Sequence, residues 1–174
     1  IGICPQIEGT SAQDQITTIH ALCYRILKAE GLNRRVPKWW KEKRQLQDII
    51  EEVWDIPHYR PGWKEGKSYI ESAKFRNLDV ESSMQLFGPV RDQWDRPVGH
   101  QLQEAYHLHT KWLERNRFLT FADMLFLVEQ KMGADRKFLQ RWQGKLAYFI
   151  IDEGQDTSGQ AMRILTRLAQ PQDN

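Results

Sequence analysis

The stretch YFIIDEGQDT, residues 148–157, passes from an apolar run into a cluster of three carboxylates, an amide and a glycine. Tyr148, Phe149, Ile150 and Ile151 show no polar alternation and lie between Gly144 and Gly154. That pattern predicts a strand buried on both faces. Charge begins abruptly where the strand ends.

Around this strand the chain reads as mostly helical. Ile19, Leu22, Cys23, Ile26 and Leu27 repeat at helical spacing, with Thr18 as N-cap and Gly31 as stop. Leu46, Ile49, Ile50, Val53 and Trp54 predict a second helix ending before Pro57. Residues 56–68, with two prolines and two glycines, read as a loop, and 69–87 as a weaker helical region or two short helices. Leu102, Tyr106, His109 and Leu113 mark the next helix. Thr120 opens another, with Met124, Leu125, Val128 and Met132 on one face. A short helix carries Phe138, Leu139 and Trp142, and a last amphipathic one carries Ala161, Met162, Leu165, Leu168 and Ala169. The only other β-like stretch is Gln15 to Thr17. One buried strand among so many helices is an incomplete sheet, because such a strand needs neighbours on both edges.

Composition narrows the class. At 174 residues with 40% hydrophobic and 28% charged residues, the chain can bury a core, and its net charge of +2 does not by itself call for a polyanionic partner. Two cysteines, Cys4 and Cys23, with no C-x-x-C pattern, fit reduced thiols in a cytoplasmic protein. No apolar run approaches the length of a membrane span.

The acidic cluster has a chemical reading from its position. In open α/β sheets ligands sit beyond the carboxyl ends of the strands. A hydrophobic strand delivering Asp152 and then Glu153 there is the Walker B arrangement of nucleotide hydrolases. Asp152 can hold a magnesium ion bridging the phosphates, and Glu153 can act as base toward the attacking water. The alternative is a strand that ends in a solvated acidic turn.

Longer motifs add a family resemblance. IIDEGQDT resembles the DExQDT motif of the UvrD/Rep-type superfamily-one DNA helicases, a Walker B pair extended by Gln and Asp. TTIHALCYRIL, residues 17–27, resembles the block that precedes the helical insertion of their first motor domain. LTFADMLFLV, residues 119–128, resembles the helix that leads back into it. The resemblance implies a mainly α fold, with residues 1–29 part of a RecA-like α/β motor domain of P-loop NTPase type. Residues 30–118 would be the helical insertion, and 119–174 the return to the motor domain with the Walker B motif. It implies ATP and magnesium as cofactors of the full-length protein, and 3′-to-5′ unwinding at junctions of single-stranded and duplex DNA. The rest of the helicase chain would be a partner, and no membrane would be involved.

Carried over by residue, the resemblance makes Asp152 the magnesium ligand and Glu153 the catalytic base. Gln155 and Asp156 would serve the nucleotide site and link it to the DNA-binding surface, and Thr18 and His20 would contact DNA. On the residues alone, Gln155 and Asp156 could cap the following helix, Thr18 could be an N-cap and His20 a structural histidine. Gly154 departs from the family, which usually places a larger residue there.

A P-loop is missing from the 174 residues. Its one lookalike, PGWKEGKS at 61–68, has Pro61 where the first glycine belongs and no apolar strand before it. The chain also begins at Ile1 rather than Met, and the motif order predicts an internal segment of a helicase that does not hydrolyse ATP alone. A RecB/AddA-like helicase–nuclease motor is a second reading, and a non-enzymatic helical DNA-binding or interaction module a third.

RRVPKWWKEKR, residues 34–44, points to nucleic acid independently. Arg34, Arg35, Lys38, Lys41, Lys43 and Arg44 outnumber a single acid, and Trp39 and Trp40 sit among them. Cations supply phosphate contacts and aromatic faces supply base stacking. The alternative is a solvated basic helix start whose tryptophans pack inward. His100, His107 and His109 lack the Cys or carboxylate partners of a metal site and read as a helix surface.

Overall fold

Thr18 sets the start of the first helix by chemistry that its sequence position anticipates. Its Oγ1 accepts a hydrogen bond from the Ala21 amide at 3.2 Å, satisfying one orphan donor of α1, Ile19–Ala29. At the other end Gly31 has φ +85°, its amide donating to the Lys28 carbonyl and the Leu32 amide to the Leu27 carbonyl. That is a Schellman motif, in which glycine tolerates the left-handed turn.

The computed structural model describes residues 3–7, 17–54, 63–92, 95–151 and 157–169, the strands at 3–7 and 146–151 by their backbone. Among these follow β1 (Ile3–Ile7), α1, α2 (Trp39–Val53), α3 (Trp63–Phe75), α4 (Met84–Phe87) and α5 (Gly99–Arg115). Then come α6 (Phe121–Ala134), α7 (Arg136–Gln143), β2 (Leu146–Ile151) and α8 (Gly159–Ala169). The chain divides into two compact units, Ile1–Leu32 with Asp123–Asn174, and Asn33–Ala122.

In the first unit β1 pairs antiparallel with β2, Ile3 opposite Ile151 and Pro5 opposite Phe149, with an irregularity between Pro5 and Ile7. The sequence gives little sign of β1, because Pro5 removes a ladder donor from a five-residue run. The irregularity beside it is the setting in which a strand tolerates proline. Around the sheet α1, α6, α7 and α8 bury Leu22, Ile26, Met124, Val128, Phe138, Trp142, Ile164 and Leu168. Asp135 caps α7 through two amides, and Ser158 Oγ accepts from the Ala161 amide at the start of α8. On α8 the expected face is rotated: Met162 and Ala169 are exposed and Ile164 is buried. Of the β-like stretch at 15–17, only Thr17 is described; it is buried and its Oγ1 accepts from Arg25.

The second unit packs α2, α3, α4 and α5 around Leu46, Ile50, Trp54, Ile70, Phe87, Leu102 and Tyr106. Its two ends run side by side: the Arg35 amide donates to the Arg117 carbonyl and the Leu119 amide to the Arg35 carbonyl, both at 2.9 Å. Two sequence expectations are corrected here. Residues 63–68 are helical rather than loop, because α3 starts at Trp63 and needs Gly66 for close packing against α2. His109 is buried rather than on the surface, stacked on Trp112 at 6.0 Å with Glu42 Oε1 3.8 Å from its Nε2.

Candidate nucleic-acid interface and the acidic motif

Asp152, Glu153, Gln155 and Asp156 lie outside the described residues, as does Gly154. The elements on either side of them are described: β2 ends at Ile151 and α8 begins at Gly159. The helix after the motif is anchored through Glu129 on α6. Its buried carboxylate accepts from Arg163 Nε at 2.6 Å and Nη2 at 3.1 Å, and from Gln160 Nε2 at 3.0 Å. No group of His, Cys, Asp and Glu side chains able to hold a metal occurs among the described residues.

Thr18 is exposed, with its hydroxyl engaged as the α1 cap. His20 is half-buried as the second residue of α1, and burial holds its imidazole below the ordinary value. Burial thus favours the neutral ring, which can both donate and accept a hydrogen bond.

The basic and aromatic stretch forms the entry to α2. Trp39 is 71% exposed and Trp40 47%, so neither packs into the core. Arg35, Lys38, Lys41 and Arg44 are exposed, while Arg34 and Lys43 are half-buried. Arg34 stands 3.9 Å from Glu114. Lys41 lies over the Trp40 ring at 5.5 Å. Cations crowd the first turns of α2, the end where the helix dipole favours anions and where no side chain caps the helix. Fold stability alone would favour acids there.

The structure also places residues beside this patch that the sequence reading overlooks. A recess of about 300 Å³ is bounded on the α2 side by Arg35, Trp40, Lys41, Arg44 and Asp48, and across it by Trp112, Asn116 and Phe118. Trp112 and Phe118 touch at 5.2 Å with their planes tilted by 52°, and the Arg35 guanidinium lies 5.4 Å from the Phe118 ring. The signal is present in KWLERNRF, residues 111–118, which interleaves Lys111, Arg115 and Arg117 with the two aromatics. It is a weaker copy of the 34–44 pattern.

The chain is thus mainly helical, with β2 and α8 on either side of the acidic motif and the basic aromatic face on the other unit. The chain belongs to the UvrD/REP helicase N-terminal domain family, whose model matches residues 5–174. It is 22% identical over 162 residues to the ATP-dependent DNA helicase Rep of Buchnera aphidicola subsp. Baizongia pistaciae, covering 92% of this chain and 23% of that protein. With the ATP-dependent DNA helicase PcrA of Bacillus subtilis it shares 25% identity over 172 residues, 94% of this chain and 22% of the relative. The chain thus spans less than a quarter of the length of these curated relatives. No helix among the described residues is long and apolar enough to cross a membrane.

Proposed function

We propose that the chain is an internal segment of the first motor domain of an ATP-dependent DNA helicase that unwinds with 3′-to-5′ polarity. Asp152 binds the magnesium of Mg-ATP and Glu153 polarises the attacking water. Gln155 and Asp156 relay the state of the nucleotide to the DNA-binding surface. Thr18 and His20 belong to the DNA-contacting block of the motor, and residues 30–118 form its helical insertion, with Arg34, Arg35, Lys38, Trp39, Trp40, Lys41, Lys43 and Arg44 facing DNA. The observation that carries this reading is the family match over residues 5–174, which includes the whole acidic motif. The exposed tryptophans among cations support the DNA contact.

Because the 174 residues contain no P-loop, they do not turn over ATP by themselves. The decisive experiment uses a chain that joins this segment to a P-loop and the second motor domain. There Glu153→Gln lowers DNA-stimulated hydrolysis by about two to four orders of magnitude, the range of general-base contributions, while ATP binding persists. Undiminished turnover in that variant would remove Glu153 from the mechanism and with it the Walker B assignment.

A further inference from the structure

We propose that the recess between α2 and the end of α5 holds one unpaired nucleotide of a single strand. The base lies against Trp40 and Trp112, and the phosphates lie on Arg35, Lys41 and Arg44. The inference rests on the reading of this unit as DNA-binding and specifies which form of DNA it takes.

The recess suits an unpaired base better than a duplex. At about 300 Å³ the recess matches the lower end of small-ligand clefts. Bases within a duplex are already stacked and paired, so a double helix offers such a pocket only its backbone. Aromatic walls gain most from a splayed base, whose face is free to stack. Trp40 is 47% exposed and so has ring surface to offer.

Charge gives the nucleotide a direction. Three cations line the recess against one carboxylate, Asp48. Lys41, Arg44 and Asp48 follow one another at helical spacing on α2, so the carboxylate stands seven residues, about 10 Å, from Lys41 along the helix axis. Phosphate is drawn to the Lys41 end and repelled from the Asp48 end. A base, by contrast, can donate an N–H to Asp48. Across the recess Asn116 donates its Nδ2 to the Trp112 carbonyl at 2.9 Å, which turns the amide and leaves Oδ1 as a further acceptor for a base edge. Asp48 and Asn116 Oδ1 are thus two acceptors that the lining offers to the N–H groups of an unpaired base.

The test measures binding of the purified protein to a labelled single-stranded oligothymidylate and to a blunt duplex of the same length, at several salt concentrations. Trp40→Ala should weaken single-strand binding by about 5- to 150-fold, the loss of one stacked base, and leave the salt slope and duplex affinity unchanged. Trp40→Phe, which keeps a ring, should recover most of the affinity. A thermal melt of each variant checks that the fold persists. If Trp40→Ala leaves single-strand affinity intact, or weakens both forms equally, the recess is not a nucleotide site, although the DNA-binding patch stands. If the unmodified protein binds neither form with a salt dependence, the patch reading falls and this inference with it.

Discussion

Gly66 on α3 lies so close to Ile50 on α2 that a Cβ at residue 66 would come within 2.6 Å of the isoleucine Cδ1. Ile50 is 3% exposed and held in the core of its unit, so its end cannot swing away freely. The glycine and lysine of the apparent nucleotide-binding loop are therefore structural. Gly66 lets two helices approach, and Lys67 Nζ reaches the buried Glu42 carboxylate at 3.1 Å.

In an exposed helix interior, glycine to alanine is worth up to about 1 kcal/mol of stabilisation. Here Gly66→Ala should instead be neutral or destabilising by about 1 kcal/mol, because overpacking opposes the propensity gain. Ile50→Val removes the clashing methyl. The double variant should therefore be more stable than the sum of the two single changes, with a coupling of about 1 kcal/mol in urea unfolding. Additive effects would mean that the two residues do not press on each other.

The clamp from Glu129 to α8 predicts an asymmetry. Glu129 is 4% exposed on its side chain, whereas the Arg163 side chain is 48% exposed. Arg163→Met leaves a buried carboxylate with only Gln160 beside it and should cost about 3 kcal/mol. Glu129→Gln leaves an arginine that water can solvate and a side chain that still accepts hydrogen bonds, so about 1 kcal/mol is expected. Denaturant midpoints of the two variants give the comparison, and the reverse order would contradict the burial argument.

Arg117 offers a gain in stability at the edge of the candidate interface. It follows the C-cap of α5 with φ +53°, its amide donating to the Glu114 carbonyl and the next amide, of Phe118, to the Leu113 carbonyl. Glycine normally takes that position in this motif, and a side chain there costs about 1–2 kcal/mol. Arg117→Gly should raise the melting temperature. If the exposed guanidinium contributes to DNA binding, the same variant should bind more weakly, whereas unchanged binding would assign Arg117 no part in it.

Much of this architecture was legible from residue periodicity. Helices α1, α2, α5 and α6 follow from local repeats of apolar residues, and the caps at Thr18 and Gly31 from local backbone chemistry. What periodicity could not supply depends on distant partners. Gly66 looks like a loop residue until Ile50 is placed beside it. His109 looks polar until Trp112 and Glu42 enclose it. The candidate site divides in the same way: the 34–44 patch is local and readable, while the recess needs Phe118 brought back onto Arg35 across more than eighty residues.

Glu30 should make the first unit sensitive to acid. Burial alone would push its carboxyl up, but hydrogen bonds from Arg141 and Trp142, together with the charge of Arg141, outweigh it and hold the group below its ordinary value. A lowered folded pKa contributes stability that is fully present above the unfolded carboxylate range and is lost as pH falls through the folded value. Glu30→Gln should therefore be less stable than the unmodified protein at neutral pH, and the gap should close on acidification. A gap independent of pH would assign the effect to packing.

The basic face should declare itself through salt. Lys41 and Arg44 are exposed and Lys43 half-buried, and alanine is a better helix former than either lysine or arginine, so replacing all three should leave α2 folded. Each phosphate neutralised by such a cation releases condensed counterions, which makes log affinity fall linearly with log salt. Lys41→Ala with Lys43→Ala and Arg44→Ala should flatten that slope by up to about one unit for each phosphate contact removed. The melting temperature should hardly move, since none of the three is buried. A slope that stays the same would mean that these charges only solvate the helix and that any DNA contact of this unit lies elsewhere.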